Sequence, residues 1–395
     1  MKRLLILACA ACLGACSTMA GPAGRSAWVG AWGGSPAPSS SASPSVDDQT
    51  IRQVVRLTAT GDRVRVRLTN EYNDTPLEVG AASITLAGPD GKPTGAIVPI
   101  TFGGKPSVVI PRNAPMLSDP VAFPVKALDS VSISLFFPHA TGPCTCHPLG
   151  TATTWISAVG DYTMSGFEPT STVTQRPFLS AVEVERSAST RAIIAFGDSI
   201  TDGYKSTPDA NKRWPDVLAE RLQASRPGAA SVVNEAISGN QVLGFRTVVF
   251  GDPALARFDR DVLTVPNAEW MIVLEGVNDL GMGGDKRPSA ETLIAGYRQI
   301  IERAHAHGLK VFGGTVLPYQ GAAYYTDAGD AIRQEVNAWI RTGGGFDGVI
   351  DFDAAIRDPA NPKRMRADLQ SGDWLHPNDA GYKLMGDTVD MKLFR

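Results

Sequence analysis

Two hydrophobic periodicities divide this chain. From Gln49 to Glu185 apolar and polar residues alternate in short runs, most clearly in Val64-Arg65-Val66-Arg67-Leu68. A period of two sends successive side chains to opposite faces of a strand, so this half predicts half-buried strands. Further candidates are Ile51 to Ala59, Ala82 to Leu86, Ser107 to Ile110, Val131 to Phe137 and Leu179 to Glu185, punctuated by turn residues such as Gly88-Pro89-Asp90-Gly91. With no helix-period stretch between them, they predict a β-sandwich of jelly-roll type over 49–188. From Arg191 onward compact apolar runs alternate with helical patterns. Strands are expected at Ala192 to Phe196, Ser231 to Asn234, Trp270 to Leu274, Lys310 to Val316 and Val349 to Phe352. Helices are expected at Trp214 to Ala224, Ala290 to His307 and Ala328 to Arg341. Such alternation requires a parallel sheet covered on both faces, over 189–395. At 395 residues the chain exceeds the size of a single core, which agrees with two domains joined at Ser187-Ala188-Ser189-Thr190.

The N-terminus reads as an address. Lys2 and Arg3 precede the apolar stretch Leu4 to Leu13, too short to span a bilayer and of secretory length. Leu13-Gly14-Ala15-Cys16 resembles the lipobox of bacterial lipoproteins, so 1–20 is expected to be a lipoprotein signal and processing region, with lipid on Cys16. An ordinary signal peptide cut after Ala20 is the alternative. The protein is thus expected to be exported: periplasmic, anchored at the outer membrane, or secreted. The following 21–48 contains a Ser/Pro-rich stretch, Ser35 to Ser45, whose composition predicts an extended, unpacked segment, although Trp28 and Trp32 before it could pack. A formal net charge of −3 and 19% charged residues indicate no strongly charged partner, and no basic face for nucleic acid is evident. Cys144 and Cys146 are the internal cysteines left after such processing, flanked by His139 and His147. A disulfide across one intervening residue, a metal site and two packed thiols are all compatible with that spacing, though established zinc spacings are wider.

Four short blocks carry chemistry. Gly197-Asp198-Ser199-Ile200-Thr201 follows the first expected strand of the α/β half, Ser238-Gly239-Asn240 the second, and Gly276-Val277-Asn278-Asp279 the third; Asp373-Trp374-Leu375-His376 lies near the C-terminus. Loops after parallel strands converge on one edge of a sheet, where open α/β folds hold ligands. A serine hydroxyl needs a base to take its proton and a third group to hold that base, and Ser199, His376 and Asp373 are the candidates. Asp373 and His376 are three apart, so one turn brings both side chains to the same side. The Ser199 and Gly239 backbone N–H groups and the Asn278 amide are suited to hold an oxyanion. The alternative reading of Asp373 is a cap on the last helix, and Asp198 is expected to organise the turn around Ser199. Asn240 orders the oxyanion loop or is a plain turn residue. Trp214 and Trp374 are read as core or wall, His305 and His307 as a solvated helix end, and Gly281-Met282-Gly283-Gly284 as a flexible rim.

With these four blocks in order, 191–395 resembles the SGNH hydrolases, also called the GDSL esterase/lipase family. The resemblance implies a flavodoxin-like three-layer α/β/α domain and ester hydrolysis without metal or other cofactor. Phe196 to Leu218 and Leu68-Thr69-Asn70-Glu71-Tyr72 are similar to an arylesterase and acetylxylan-esterase branch, in which a β-sandwich often precedes the catalytic domain. That similarity implies short acyl esters, foremost O-acetyl groups on polysaccharide or oligosaccharide. A lipid-directed esterase (lysophospholipase or thioesterase) and an inactive carbohydrate-binding surface lipoprotein are the rival readings. The β-sandwich would bind glycan or brace the rim of the site. Since the imidazole of His376 must be neutral to accept a proton, activity is expected to fall in the acid range.

Overall fold

The computed structural model describes residues 28–88, 90–185 and 189–395. The expected leader, Cys16 and the residues Ser187-Ala188 of the expected junction lie outside them.

Alternation of the expected kind builds two antiparallel sheets in the first half. One orders Trp28–Gly33, Leu179–Glu185, Gly61–Asn70 and Ala114–Leu117, with Val121–Val125 also paired to Gly61–Asn70. The other orders Ser171–Val173, Thr154–Val159, Gln49–Arg56, Ser130–Phe137, Ala81–Leu86 and Val98–Ile100. Val64, Val66, Leu68, Val182 and Val184 from the first sheet share one core with Ile51, Val55, Ile84, Ile133 and Leu135 from the second. Arg65 lies on the outer face, where it pairs with Glu183. A period-two strand with one wetter face therefore forms where the sequence places it.

Two expectations change. The strand expected to reach Ala59 stops at Arg56, because Leu57 and Thr58 leave the ladder to bond Asp129, Leu128 and Ala31. The beginning of the expected Ser/Pro-rich segment is packed rather than extended. Before it Trp28–Gly33 packs, as its tryptophans allow, as an edge strand paired with Leu179–Glu185; at the start of the stretch itself Ser35 donates to Glu235 at 2.7 Å and Ala37 N–H to the Cys146 carbonyl at 2.8 Å. Composition alone missed this because each of these contacts is made to a residue more than 100 positions away.

In the second half a five-stranded parallel sheet runs in the order Ala230–Ala236, Arg191–Gly197, Ala268–Leu274, Lys310–Gly314, Gly348–Ile350. Ile194 stands between Val233 and Met271 in the register. Strands buried on both faces need near-continuous apolar sequence, and Ala192 to Phe196 is wholly buried. The helices Trp214–Ser225, Ala290–Ala306 and Asp327–Arg341 match their expected positions to within a residue or two. The last expected strand ends at Ile350, because Asp351 caps a short helix, Phe352–Ile356, through its carboxylate to the Ala354 N–H. The two halves meet directly: Ser231 donates to the Gly30 carbonyl at 2.7 Å and Thr58 to the Val232 carbonyl at 2.8 Å.

Candidate active site

Three strand ends and one C-terminal turn assemble the site. Asp198 follows the strand Arg191–Gly197 and caps a four-residue helix, Ser199–Asp202, accepting from the Ile200 N–H at 3.0 Å. Asp198 thus organises the turn, as its position predicts, and burial, opposed by that N–H and reinforced by Asp279, pushes its carboxyl up. Ser199 Oγ lies 2.8 Å from His376 Nε2, and His376 Nδ1 lies 2.7 Å from Asp373 Oδ2. A carboxylate only accepts, so it selects the Nδ1–H tautomer and leaves Nε2 bare to accept from the serine. Burial alone would raise the Asp373 carboxyl, but the His376 ring and the N–H groups of His376 and Leu375 together hold it well below the usual range, so it stays ionised. Asn378, not Asp373, caps the helix Asp379–Thr388.

The turn after Ala230–Ala236 carries Gly239 at φ +79°, and a Cβ there would come within 2.1 Å of the Phe250 ring. Only glycine satisfies both restrictions. Neither the Ser199 nor the Gly239 backbone N–H has an acceptor among the described residues. Asn278, in the helix Val277–Met282, uses one amide hydrogen on the Asn240 carbonyl at 2.9 Å, while its oxygen accepts from the Tyr324 hydroxyl at 3.1 Å. Those two contacts fix which end of the amide is the donor and leave a second hydrogen on Nδ2. Removing one donor of this kind lowers kcat by about 10²–10³-fold. Asn278→Ala is expected in that range on p-nitrophenyl acetate, with a folded circular-dichroism spectrum; wild-type turnover would remove Asn278 from the chemistry.

Sequence reasoning left several supports unseen. Arg257, fully buried, donates to the Gly197 carbonyl at 2.9 Å, the Glu235 carbonyl at 2.7 Å and the Asn240 side chain at 2.8 Å, tying two strand ends to the turn after the second. Asn240 also donates to the Phe250 and Asp252 carbonyls, so it orders that loop. No local motif marks Arg257 or Tyr324; both act through contacts that only the fold creates. Trp214 is buried in the core, and Trp374 lies under the Arg364 guanidinium, 4.5 Å from its ring centre, and does not line the cavity over Ser199 and His376. The expected flexible rim is instead helical through Met282, where Gly281 packs against the Tyr324 ring. His305 closes its helix and meets Asp347 at 2.8 Å. Cys144 and Cys146 are joined as a disulfide, His139 is exposed and His147 turns inward to Asp202, so these four do not converge as ligands.

A cavity of about 420 Å³ opens over Ser199 and His376. Its walls include Leu149, Tyr204, Val249, Phe250, Met282 and Leu375, so they are largely apolar. Residues 195–384 match the model of the GDSL-like lipase/acylhydrolase family. The chain carries that domain, the domain of a carboxylic ester hydrolase. No curated protein matches the chain. Among solved structures, a GDSL-like lipase from Bacteroides thetaiotaomicron is 19% identical, with TM-score 0.39 over 51% of this chain and 87% of that one. A variant of an acetyl xylan esterase from Geobacillus stearothermophilus is 21% identical, with TM-score 0.40 over 50% and 91%. An aryl esterase from M. smegmatis is 16% identical, with TM-score 0.40 over 50% and 95%. The acylhydrolase match contains the first three blocks and the Asp373–His376 turn, all within 195–384.

Proposed function

We propose that the protein is a serine esterase that hydrolyses short-chain acyl esters through Ser199, His376 and Asp373. What carries this reading is one arrangement: a hydroxyl 2.8 Å from an imidazole whose other nitrogen is 2.7 Å from a carboxylate, opening into a cavity beside Gly239 and Asn278. Ser199 Oγ attacks the ester carbonyl while His376 Nε2 takes its proton. The developing oxyanion is met by the N–H groups of Ser199 and Gly239 and by Asn278 Nδ2. His376 then protonates the leaving alkoxide, giving the free alcohol and an acyl-serine. Water, deprotonated by His376, attacks that ester in turn and releases the acid, restoring the serine. Asp373 stays ionised and stabilises the imidazolium in both halves. No step calls for a metal or organic cofactor.

The leading substrate is an O-acetyl group on polysaccharide or oligosaccharide, the reading that the branch resemblance suggested. The apolar walls favour a second, a more apolar ester such as a lipid, since Phe245 and Val248, exposed on the loop that leads into Val249 and Phe250, extend an apolar rim. An acyl series of p-nitrophenyl esters separates the two. The first expects kcat/KM to peak between acetyl and butyryl and acetate to be released from acetylated xylan. A maximum at octanoyl or longer, with no release from xylan, would transfer the assignment to lipid esters. For the fold we propose a three-layer, flavodoxin-like α/β/α catalytic domain at 189–395 and a jelly-roll-like β-sandwich at 49–188. For location we propose export, with a lipid on Cys16 as the membrane attachment. Incorporation of labelled palmitate, abolished by Cys16→Ser, checks that attachment.

A further inference from the structure

His147 belongs to the N-terminal half, one residue beyond the Cys144–Cys146 disulfide, yet its ring is buried against the acylhydrolase domain. Nδ1 is 3.0 Å from the Ser35 carbonyl; Nε2 is 2.8 Å from the Leu149 carbonyl and 2.9 Å from Asp202 Oδ1. Carbonyls and carboxylates only accept, so both ring nitrogens must carry protons and the ring is an imidazolium. Burial alone would lower its pKa, but the charge and hydrogen bond of Asp202, with the two carbonyls, carry it above the ordinary histidine value.

Asp202 is the hinge of the argument. It ends the short helix that begins at Ser199, and its other oxygen, Oδ2, accepts from the Ser238 N–H at 2.9 Å and the Ser238 hydroxyl at 2.7 Å. Ser238 immediately precedes Gly239. A single carboxylate therefore links the nucleophile's helix to the turn that presents the Gly239 N–H. Its remaining oxygen is held by a cation from outside residues 195–384.

We propose that His147 is a positioning residue for ester hydrolysis: it fixes Asp202, and through Asp202 the Ser238–Gly239 turn, so that the N-terminal half sets the geometry of the oxyanion site. The same segment supplies Pro148 and Leu149 to the cavity wall. The proposal rests on the reading of Gly239 as an oxyanion donor. A misplacement of about 1 Å at such a site costs on the order of 10²-fold in rate, while a substrate held by apolar walls binds as before. The effect therefore falls on kcat and not on KM.

Replacements in the full-length chain test it, because glutamine and asparagine divide the two nitrogens. The Gln amide reaches the place of Nε2 and restores the bond to Asp202; the Asn amide reaches the place of Nδ1 and restores only the bond to Ser35. On p-nitrophenyl acetate, His147→Ala and His147→Asn are expected to lose about 10- to 100-fold in kcat with KM within about twofold. His147→Gln is expected to recover most of the loss. Equal impairment of the Gln and Asn variants, or folded His147→Ala with wild-type kcat, would overturn the proposal. A measurement on the unmodified protein stands if the variants fail to fold. Nitrogen-15 spectra of histidine-labelled protein at pH 7, assigned by replacing each of the other four histidines, should show both His147 nitrogens protonated, and a neutral ring would overturn it equally. If Asn278→Ala is also unimpaired, the oxyanion reading itself fails; if Asn278→Ala is impaired and the His147 variants are not, only the positioning role falls.

Discussion

Ser199→Ala is expected to lower kcat by about 10⁴- to 10⁶-fold on p-nitrophenyl acetate, with the fold intact. On the proposed mechanism the loss of Oγ ends the covalent route, because the hydroxyl that His376 Nε2 faces at 2.8 Å is the one assigned the attack. What remains is whatever the oxyanion donors and substrate binding contribute to direct attack by water, roughly 10³–10⁴ over the uncatalysed reaction. Stability should change little. The side chain gives up one hydrogen bond, worth about 0.5–1.5 kcal/mol net, and alanine is a good helix former at the position it would occupy. Thermal melts compare the folds, and a fluorophosphonate probe that labels wild type should leave the variant unlabelled. A folded Ser199→Ala protein keeping more than about a hundredth of wild-type kcat, far above the expected fall, would mean that another nucleophile carries the reaction.

Much of this architecture could be read from residue order because the signals are local. Alternation at Val64 to Leu68 and an unbroken apolar run at Ala192 to Phe196 each report the burial of a single strand, and both stand where expected. Element ends were less legible. Lys310 to Val316 shortened to Lys310–Gly314: Thr315 still donates its N–H to the Ile350 carbonyl, but the Val316 N–H goes to the Asn337 side chain at 2.8 Å, a helix residue not adjacent in sequence. The Gly281 to Gly284 stretch looked flexible by composition, yet a tyrosine ring from residue 324 covers Gly281 and the segment through Met282 is helical. The same division runs through the site. Ser199, Gly239, Asn278, Asp373 and His376 lie in short blocks with their own turn chemistry. Arg257, Tyr324 and His147 are placed by partners from far along the chain, Gly197 for Arg257, Asn278 for Tyr324, Ser35 and Asp202 for His147, and no local motif marks those contacts.

Asp373→Asn is the second large effect, about 10⁴-fold in kcat, and here the surroundings decide how the new amide sits. Asp373 Oδ1 accepts from the Leu375 N–H at 3.0 Å, the His376 N–H at 2.9 Å and the Ser371 hydroxyl at 3.3 Å. Those donors need an acceptor, so the asparagine carbonyl oxygen takes that place and its NH2 occupies the position of Oδ2, facing His376 Nδ1. An NH2 donates. The ring must then offer a bare Nδ1, its proton moves to Nε2, and Nε2 can no longer accept from Ser199. The turn itself keeps its backbone hydrogen bonds, so the variant should fold and bind substrate with KM close to wild type while turnover collapses. Nitrogen-15 spectra of histidine-labelled protein read the tautomer directly: at neutral pH the protonated nitrogen of His376 should change from Nδ1 in wild type to Nε2 in the variant. A proton that stays on Nδ1, or a kcat within about tenfold of wild type against the expected 10⁴, would show that the carboxylate does not set the imidazole and that something else prepares it for the serine.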